Sequence, residues 1–316
     1  AFMFPLAIVL GLGLWCRDSK VGRYGLVLAL GGGAIALWHM GLYAGVIPEP
    51  IQPCSATGPS CTDENQLVLG IPIPLLSLLA FALVAVFVAG VVRGFAGFAL
   101  SALTMAALAS TIPPVELIPI CTMLELASAA LLMRGGFSEA NKRMAITLQS
   151  GALIGVPSGL YLTTTIDPEL SKIIALCLIV TLALLQLARV RLPLTTSPVP
   201  TFITGIFSGF VTGLASIGGL VIALYTLALQ MPPKNMRGTL IVIIFIGGAL
   251  TFLWQLLYGM ITPLALSRFA AFASPMLAGV LLGRAFFKPE YERHYRPFCL
   301  TLLIGLAIFG LLKTLL

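Results

Sequence analysis

Apolar residues in this chain come in long blocks separated by brief polar interruptions. The blocks cover roughly 1–15, 25–45, 74–92, 95–111, 115–134, 144–163, 170–189, 199–214, 216–230, 238–257, 263–285 and 297–315. A membrane-crossing helix needs about 20 predominantly apolar residues, and most of these blocks have that length. The pattern predicts an all-α polytopic membrane protein of about ten to twelve apolar helical segments. Blocks 95–111 and 216–230 are short for full spans and read as half-helices or re-entrant segments.

Composition removes the alternatives. Charged residues are 9% of the 316 residues and hydrophobic residues 59%, against about 25% charged in an ordinary soluble chain. Such a chain cannot clothe a water-soluble fold, and it is far too apolar for disorder. The net charge of +7 changes the picture only through its placement. Arg17, Lys20 and Arg23 share one loop. Arg134, Lys142 and Arg143 share another, as do Arg189 and Arg191, Lys234 and Arg237, and Arg284, Lys288, Arg293 and Arg296. If every block crosses, all these loops fall on one side, and loops 46–73, 163–169 and 258–262, which hold no Lys or Arg, fall on the other. By the positive-inside rule this puts the N-terminus and the 46–73 loop outside a bacterial cytoplasmic (inner) membrane. The same placement leaves no basic stripe for nucleic acid.

Sliding the sequence by 119 positions aligns 89–114 with 208–233 without a gap. Gly90, Val92, Gly94, Ala96, Leu108, Ala109, Pro113 and Pro114 meet Gly209, Val211, Gly213, Ala215, Leu227, Ala228, Pro232 and Pro233. The register then drifts, with Gly155 and Gly159 meeting Gly279 and Gly283. The reading is a segment 1–73 followed by two repeats, 74–197 and 198–316. Five blocks per repeat is an odd number, so the second repeat would be inverted, an architecture that holds substrate near the midplane.

Each repeat opens with a glycine-rich break: Arg93, Gly94 and Gly97 in the first, Thr212, Gly213, Ser216, Gly218 and Gly219 in the second. A half-helix starting at such a break points its positive end inward, which suits an anion; helix packing by small residues is the alternative. Arg93 would either neutralise the anion or anchor the helix at the cytoplasmic face. Glu125, in the middle of an apolar block, is a costly carboxylate and a candidate proton-coupling residue or partner for Arg93, with a Glu satisfied by a neighbouring hydroxyl as the alternative. Glu116 and Arg134 lie near block ends and are expected to snorkel. Gly151, Gly155 and Gly159, like Gly205, Gly209 and Gly213, repeat every fourth residue and predict close helix packing. Pro157 and Pro275 should kink their helices. His39 reads as a packing residue and His294 as solvated; Cys121, Cys177 and Cys299 are expected to be buried and inert. No catalytic motif or metal-ligand spacing is present, so neither a catalytic centre nor a bound metal is expected.

Residues 74–316 resemble the TauE/SafE family of membrane transporters, through the stretch Arg93 to Phe98, its echo from Gly213 to Gly219, and the Pro pairs at 113–114 and 232–233. The resemblance implies a secondary transporter, not an enzyme, carrying small anions such as sulfite, organosulfonates or related carboxylates, with protons as a coupling partner. Residues 1–90 resemble another family, the DsbB-type quinone-linked thiol oxidases, through Phe4–Trp15, Ala36–Glu49, Pro53–Thr62 and Gly70–Phe81. That resemblance implies a redox disulfide between Cys54 and Cys61 in the exported loop. The family's first span and its Cys-x-x-Cys, which passes electrons to quinone, would stand before Ala1. Quinone is thus an expected cofactor only where that part exists. Thiol oxidation through Cys54 and Cys61 is the rival function, and an inert fused segment is the third reading.

Overall fold

The computed structural model describes residues 67–68, 71–109, 111–188, 197–285 and 292–315. The expectations for His39, for Cys54 and Cys61 and for most of the thiol-oxidase-like segment fall outside these residues, as do the side chains of Arg134, His294 and Cys299.

The chain divides into two compact units, Ala1–Ala82 and Leu83–Leu316. In the first, β1 (Leu67–Val68) pairs antiparallel with β2 (Ile71–Pro72) as Leu67↔Pro72 and Val68↔Ile71. Ten helices follow: α1 (Ile73–Ala96), α2 (Leu100–Leu108), α3 (Pro114–Glu139), α4 (Lys142–Thr165), α5 (Pro168–Leu187), α6 (Pro198–Ala215), α7 (Gly218–Ala228), α8 (Pro233–Leu257), α9 (Pro263–Ala285) and α10 (Glu292–Leu315). Five of them begin on proline, whose fixed φ and missing N–H suit a first helical position. Asn141 caps α4 by accepting from the Met144 N–H (3.1 Å), and Asp167 caps α5 by accepting from the Glu169 N–H (2.9 Å).

Seven helices among the described residues are long and apolar enough to cross a membrane, and the protein is a multi-pass, all-α membrane protein. Its outward surface agrees. Ile146 (67% exposed), Tyr161 (62%) and Leu257 (76%) would be a liability in water and belong against lipid. Helices α2 and α7 are the short ones, at 9 and 11 residues, where the two short apolar blocks lie.

Small residues decide which helices meet. Carbon atoms built in place of the glycine hydrogens of Gly151, Gly155 and Gly159 on α4 would lie 2.3, 2.0 and 2.1 Å from the carbonyl oxygens of Phe202, Ile206 and Phe210 on α6. Gly205 and Gly213 return the contact, 2.3 Å from the carbonyls of Leu148 and Val156. Backbone therefore rests on backbone along the whole α4–α6 seam. The same arrangement joins α1 to α9: Gly90 and Gly94 face the carbonyls of Met276 and Val280, and Gly279 and Gly283 face those of Phe87 and Val91. Between these seams α3 packs on α8, and α5 packs on α10. Each helix of Leu83–Ala188 thus finds much of its packing on helices that follow Ser197.

Pro157 and Pro275 lie inside α4 and α9, as does Pro119 inside α3. Two expectations need correcting. Cys121 is buried, but Cys177 is exposed. The helical period explains it: Cys177 shares a face of α5 with exposed Thr181 and Leu184, whereas Ala175, Leu176 and Ile179 turn inward. Glu116 does not simply snorkel, because it forms an ion pair with Arg268 of α9 (2.5 Å).

Candidate functional site

The chain breaks at Gly97 and Ala99, both with left-handed backbone (φ 79° and 73°), and α2 starts immediately after. Glycine suits position 97, whose φ is strained for other residues and where a Cβ would sit tightly, 3.0 Å from Arg237 Cγ. Breaking a helix exposes carbonyls at one end and N–H groups at the other. Here the protein answers both. Arg93 Nη1 donates to the Gly97 carbonyl and Arg237 Nη2 donates to the Gly94 carbonyl at 2.9 Å, so two guanidinium groups meet the negative end of α1. At the positive end of α2, Glu125 Oε1 accepts from the Ser101 N–H at 3.2 Å. Arg93 Nε also donates to Ser128 Oγ (3.2 Å), and Ser128 Oγ donates to the Glu125 carbonyl (2.8 Å). Arg93 is fully buried and thereby ties α1 to α3.

The second break carries no charge. Ser216 ends α6 in the left-handed region (φ 58°), its N–H donating to the Thr212 carbonyl at 2.7 Å, and α7 begins at Gly218. Ser208 Oγ donates to the Gly218 carbonyl (3.0 Å), and Thr212 Oγ1 to the Ser208 carbonyl (2.8 Å). Only glycine fits at 218, because a Cβ would lie 2.0 Å from Thr212 Oγ1.

A cavity of ≈ 50 Å³ opens at this end of α7. Its walls come from α3 (Thr122, Glu125), α4 (Leu148, Gln149, Ala152, Val156), the second break (Ser208, Thr212, Ser216, Gly218, Gly219, Ile222) and α8 (Ile243, Ile244, Gly247, Gly248, Thr251). Of the residues singled out from sequence, the structure brings together Glu125, Thr212, Ser216, Gly218 and Gly219. It places Arg93, Gly94, Gly97 and Gly213 elsewhere: Arg93 and Gly97 on the first break, Gly94 and Gly213 in the helix seams. Sequence reasoning passed over Thr122, Gln149, Ser208 and Thr251. A lone hydroxyl in an apolar helix usually bonds its own i−4 carbonyl, as Thr122 does to Ile118 (3.0 Å), and so gives no signal.

Two buried polar atoms in the cavity wall lack partners among the described residues. Thr251 Oγ1 has none, and Gln149 Oε1 has none while its Nε2 donates to the Ile243 carbonyl (2.7 Å). Buried polar groups in a membrane protein are rarely left so. No Lys, Arg or His is among the residues lining the cavity. A second, larger cavity of ≈ 480 Å³, at the N-terminal ends of α4 and α6, gathers none of the residues at the breaks. Among the described residues no group of His, Cys, Asp and Glu could hold a metal ion.

The profile of the sulfite exporter TauE/SafE family matches residues 82–310. The chain belongs to the TauE/SafE family. The match takes in both breaks and every residue that lines the cavity. Over the N-terminal region the similarity is to different proteins. A probable disulfide formation protein of Metapseudomonas resinovorans is 48% identical over 87 residues, which are 27% of this chain and 60% of that protein. Disulfide bond formation protein C of Bacillus subtilis (strain 168) is 33% identical over 88 residues, 27% of this chain and 62% of that protein. The chain spans about three fifths of the length of these curated relatives. No solved structure matches it.

Proposed function

We propose that this TauE/SafE protein is a secondary transporter that carries a small oxyanion of the sulfite or organosulfonate type, with proton movement linked to it through Glu125. The observation that carries this reading is the cavity that sets Glu125 against the N-terminus of α7. The first N–H groups of a helix have no partner within it and carry its positive dipole end, the usual receptor for a small anion. The hydroxyl of Thr251 supplies a further donor, Ser208 and Thr212 hold the break through their bonds to the Gly218 and Ser208 carbonyls, and Ser216, Gly218 and Gly219 let the anion approach the backbone. Arg93, Gly94 and Gly97 act in this reading through the first break, where Arg93 bonds Ser128 and Ser128 bonds the Glu125 carbonyl.

The two halves, 74–197 and 198–316, act in this reading as inverted repeats. The pairing of α1 with α9 and of α4 with α6 favours it, as the first helix of each half packs on the fourth of the other. The N-terminus and the 46–73 loop lie outside the cytoplasmic membrane, as the basic loops require. Segment 1–73 carries the second reading, thiol–disulfide exchange through Cys54 and Cys61. It is favoured by the 48% identity to a probable disulfide formation protein.

Flux in proteoliposomes tests the primary reading. With sulfite, sulfoacetate, taurine, sulfate and lactate loaded in turn under an imposed pH gradient, saturable movement of a sulfur anion is expected. Glu125→Gln should uncouple that flux from the pH gradient. No movement of any of the five by folded protein would reject the transporter reading.

A further inference from the structure

The cavity is lined by two unlike kinds of polar group. Donors come from the first turn of α7 at Gly218 and Gly219 and from the hydroxyl of Thr251, which is 1% exposed and without a partner among the described residues. The same lining includes one carboxyl group, Glu125. The Glu125 carboxylate already accepts from the Ser101 N–H at the positive end of α2, and that is the carboxylate's one hydrogen bond among the described residues, so Oε2 takes none. Among the described residues its ion-pair partner is no cation; the pairs are Lys172–Glu169 and Arg268–Glu116. The charged or titratable groups near Glu125 are Arg93 on α1, with Arg237 of α8 beside it, and Cys121 one turn earlier on α3. Arg93 and Arg237 are engaged with the carbonyls of the first break. From α4, α6, α7 and α8 no ionisable side chain reaches the cavity.

An aprotic anion in a cavity of ≈ 50 Å³ would share it with a carboxylate to which it can donate nothing. An anion that carries an acidic O–H matches both kinds of group at once. Resting on the transporter reading above, we infer that the cavity selects the hydrogen form of a small oxyanion, its bare oxygens held at the N-terminus of α7 and its O–H donated to Glu125. The proton then crosses on the substrate, and Glu125 links proton to anion by accepting a hydrogen bond. No bond to hydrogen is made or broken at the site. The size of the cavity narrows the class further. At ≈ 50 Å³ it is a third of the roughly 150 Å³ that encloses benzene, which restricts an enclosed ligand to a few heavy atoms.

Hydrogen selenite and chlorate separate the alternatives. Both are pyramidal three-oxygen monoanions, and only hydrogen selenite has an O–H. Initial flux of each would be measured in proteoliposomes of the full chain, beside sulfite, at a pH where selenite is singly protonated. The wild-type protein should favour hydrogen selenite over chlorate by about tenfold or more in kcat/KM, the worth of one hydrogen bond to a charged group. Glu125→Gln keeps an acceptor for Ser101 and adds a donor, so it should raise chlorate flux and remove most of the preference. Equal handling of the two anions by the wild type would overturn the inference. So would a preference that survives in Glu125→Gln, or sulfite moving while neither probe does. The wild-type ratio decides the matter even where the variant does not fold. Failure of all three anions to move would instead sink the transporter reading itself.

Discussion

Gly155→Ala is a one-methyl change whose cost can be worked from the seam it enters. The added carbon would stand 2.0 Å from the Ile206 carbonyl oxygen and 2.7 Å from the Phe210 nitrogen, where real Cβ atoms do not come within 3.0 Å. Both neighbours are backbone, so neither can swing aside, and α4 and α6 must part by about 1 Å. A gap of that size forfeits roughly a quarter to a half of each dispersion contact along the seam. Overpacking of this kind costs about 1–3 kcal/mol, partly offset by the better helix propensity of Ala, about 1 kcal/mol. Gly305→Ala supplies the control, because a Cβ at that exposed position meets nothing within 4 Å and shows the propensity gain alone. Thermal unfolding in detergent, followed by circular dichroism, should place Gly155→Ala below wild type and Gly305→Ala at or above it. The functional readout moves too. Helix α4 carries Gln149, Ala152 and Val156 and α6 carries Ser208 and Thr212, so parting them widens the cavity and should raise the KM for the transported anion. A Gly155→Ala protein that melts with or above wild type, at unchanged KM, would refute the backbone-on-backbone seam.

Two further substitutions test the site and its frame. Gly218→Ala puts a methyl 2.0 Å from Thr212 Oγ1 at the mouth of α7 and should abolish most anion flux while leaving the helical circular dichroism unchanged; retained flux would move the site elsewhere. Glu116→Gln removes the ion pair to Arg268, whose side chains are 44% and 30% exposed, and should lower stability by less than about 1 kcal/mol in low salt, with the difference shrinking as salt rises.

The fold and the site were legible in the sequence to different depths. Spans announce themselves because a bilayer demands length and apolarity, quantities that survive without any tertiary information. The shortness of α2 and α7 and the glycine spacing of α4 and α6 were equally visible, because each is set by residues close in sequence. Arg93 was not. Two fates were open to it, ligand to an anion or anchor at the membrane face; the structure buries it with Nη1 on the Gly97 carbonyl, Nε on Ser128 and Nη2 without a partner among the described residues. That outcome depends on Arg237 and Ser128 arriving from α8 and α3, which no local pattern records. Gln149 and Thr251 were invisible for the same reason. A polar side chain in an apolar helix becomes part of a site only when packing turns it toward a cavity and withholds a partner.

The glycine seams also bear on how the chain is made. During synthesis α1 leaves the ribosome long before α9, so the face bearing Gly90 and Gly94 must wait in lipid until nearly the whole polypeptide has been inserted. Its contacts are among the most distant in sequence, and such contacts form late and slowly. A ribosome stalled after α8 would release a product with α4 and α6 joined and α1 still open along its glycine face, the kind of surface that membrane quality-control proteases and insertion chaperones encounter. Separate expression of the halves, cut between Ala188 and Ser197, would leave both seams waiting for the other polypeptide, so each half should be short-lived alone and persist only when the two are made together.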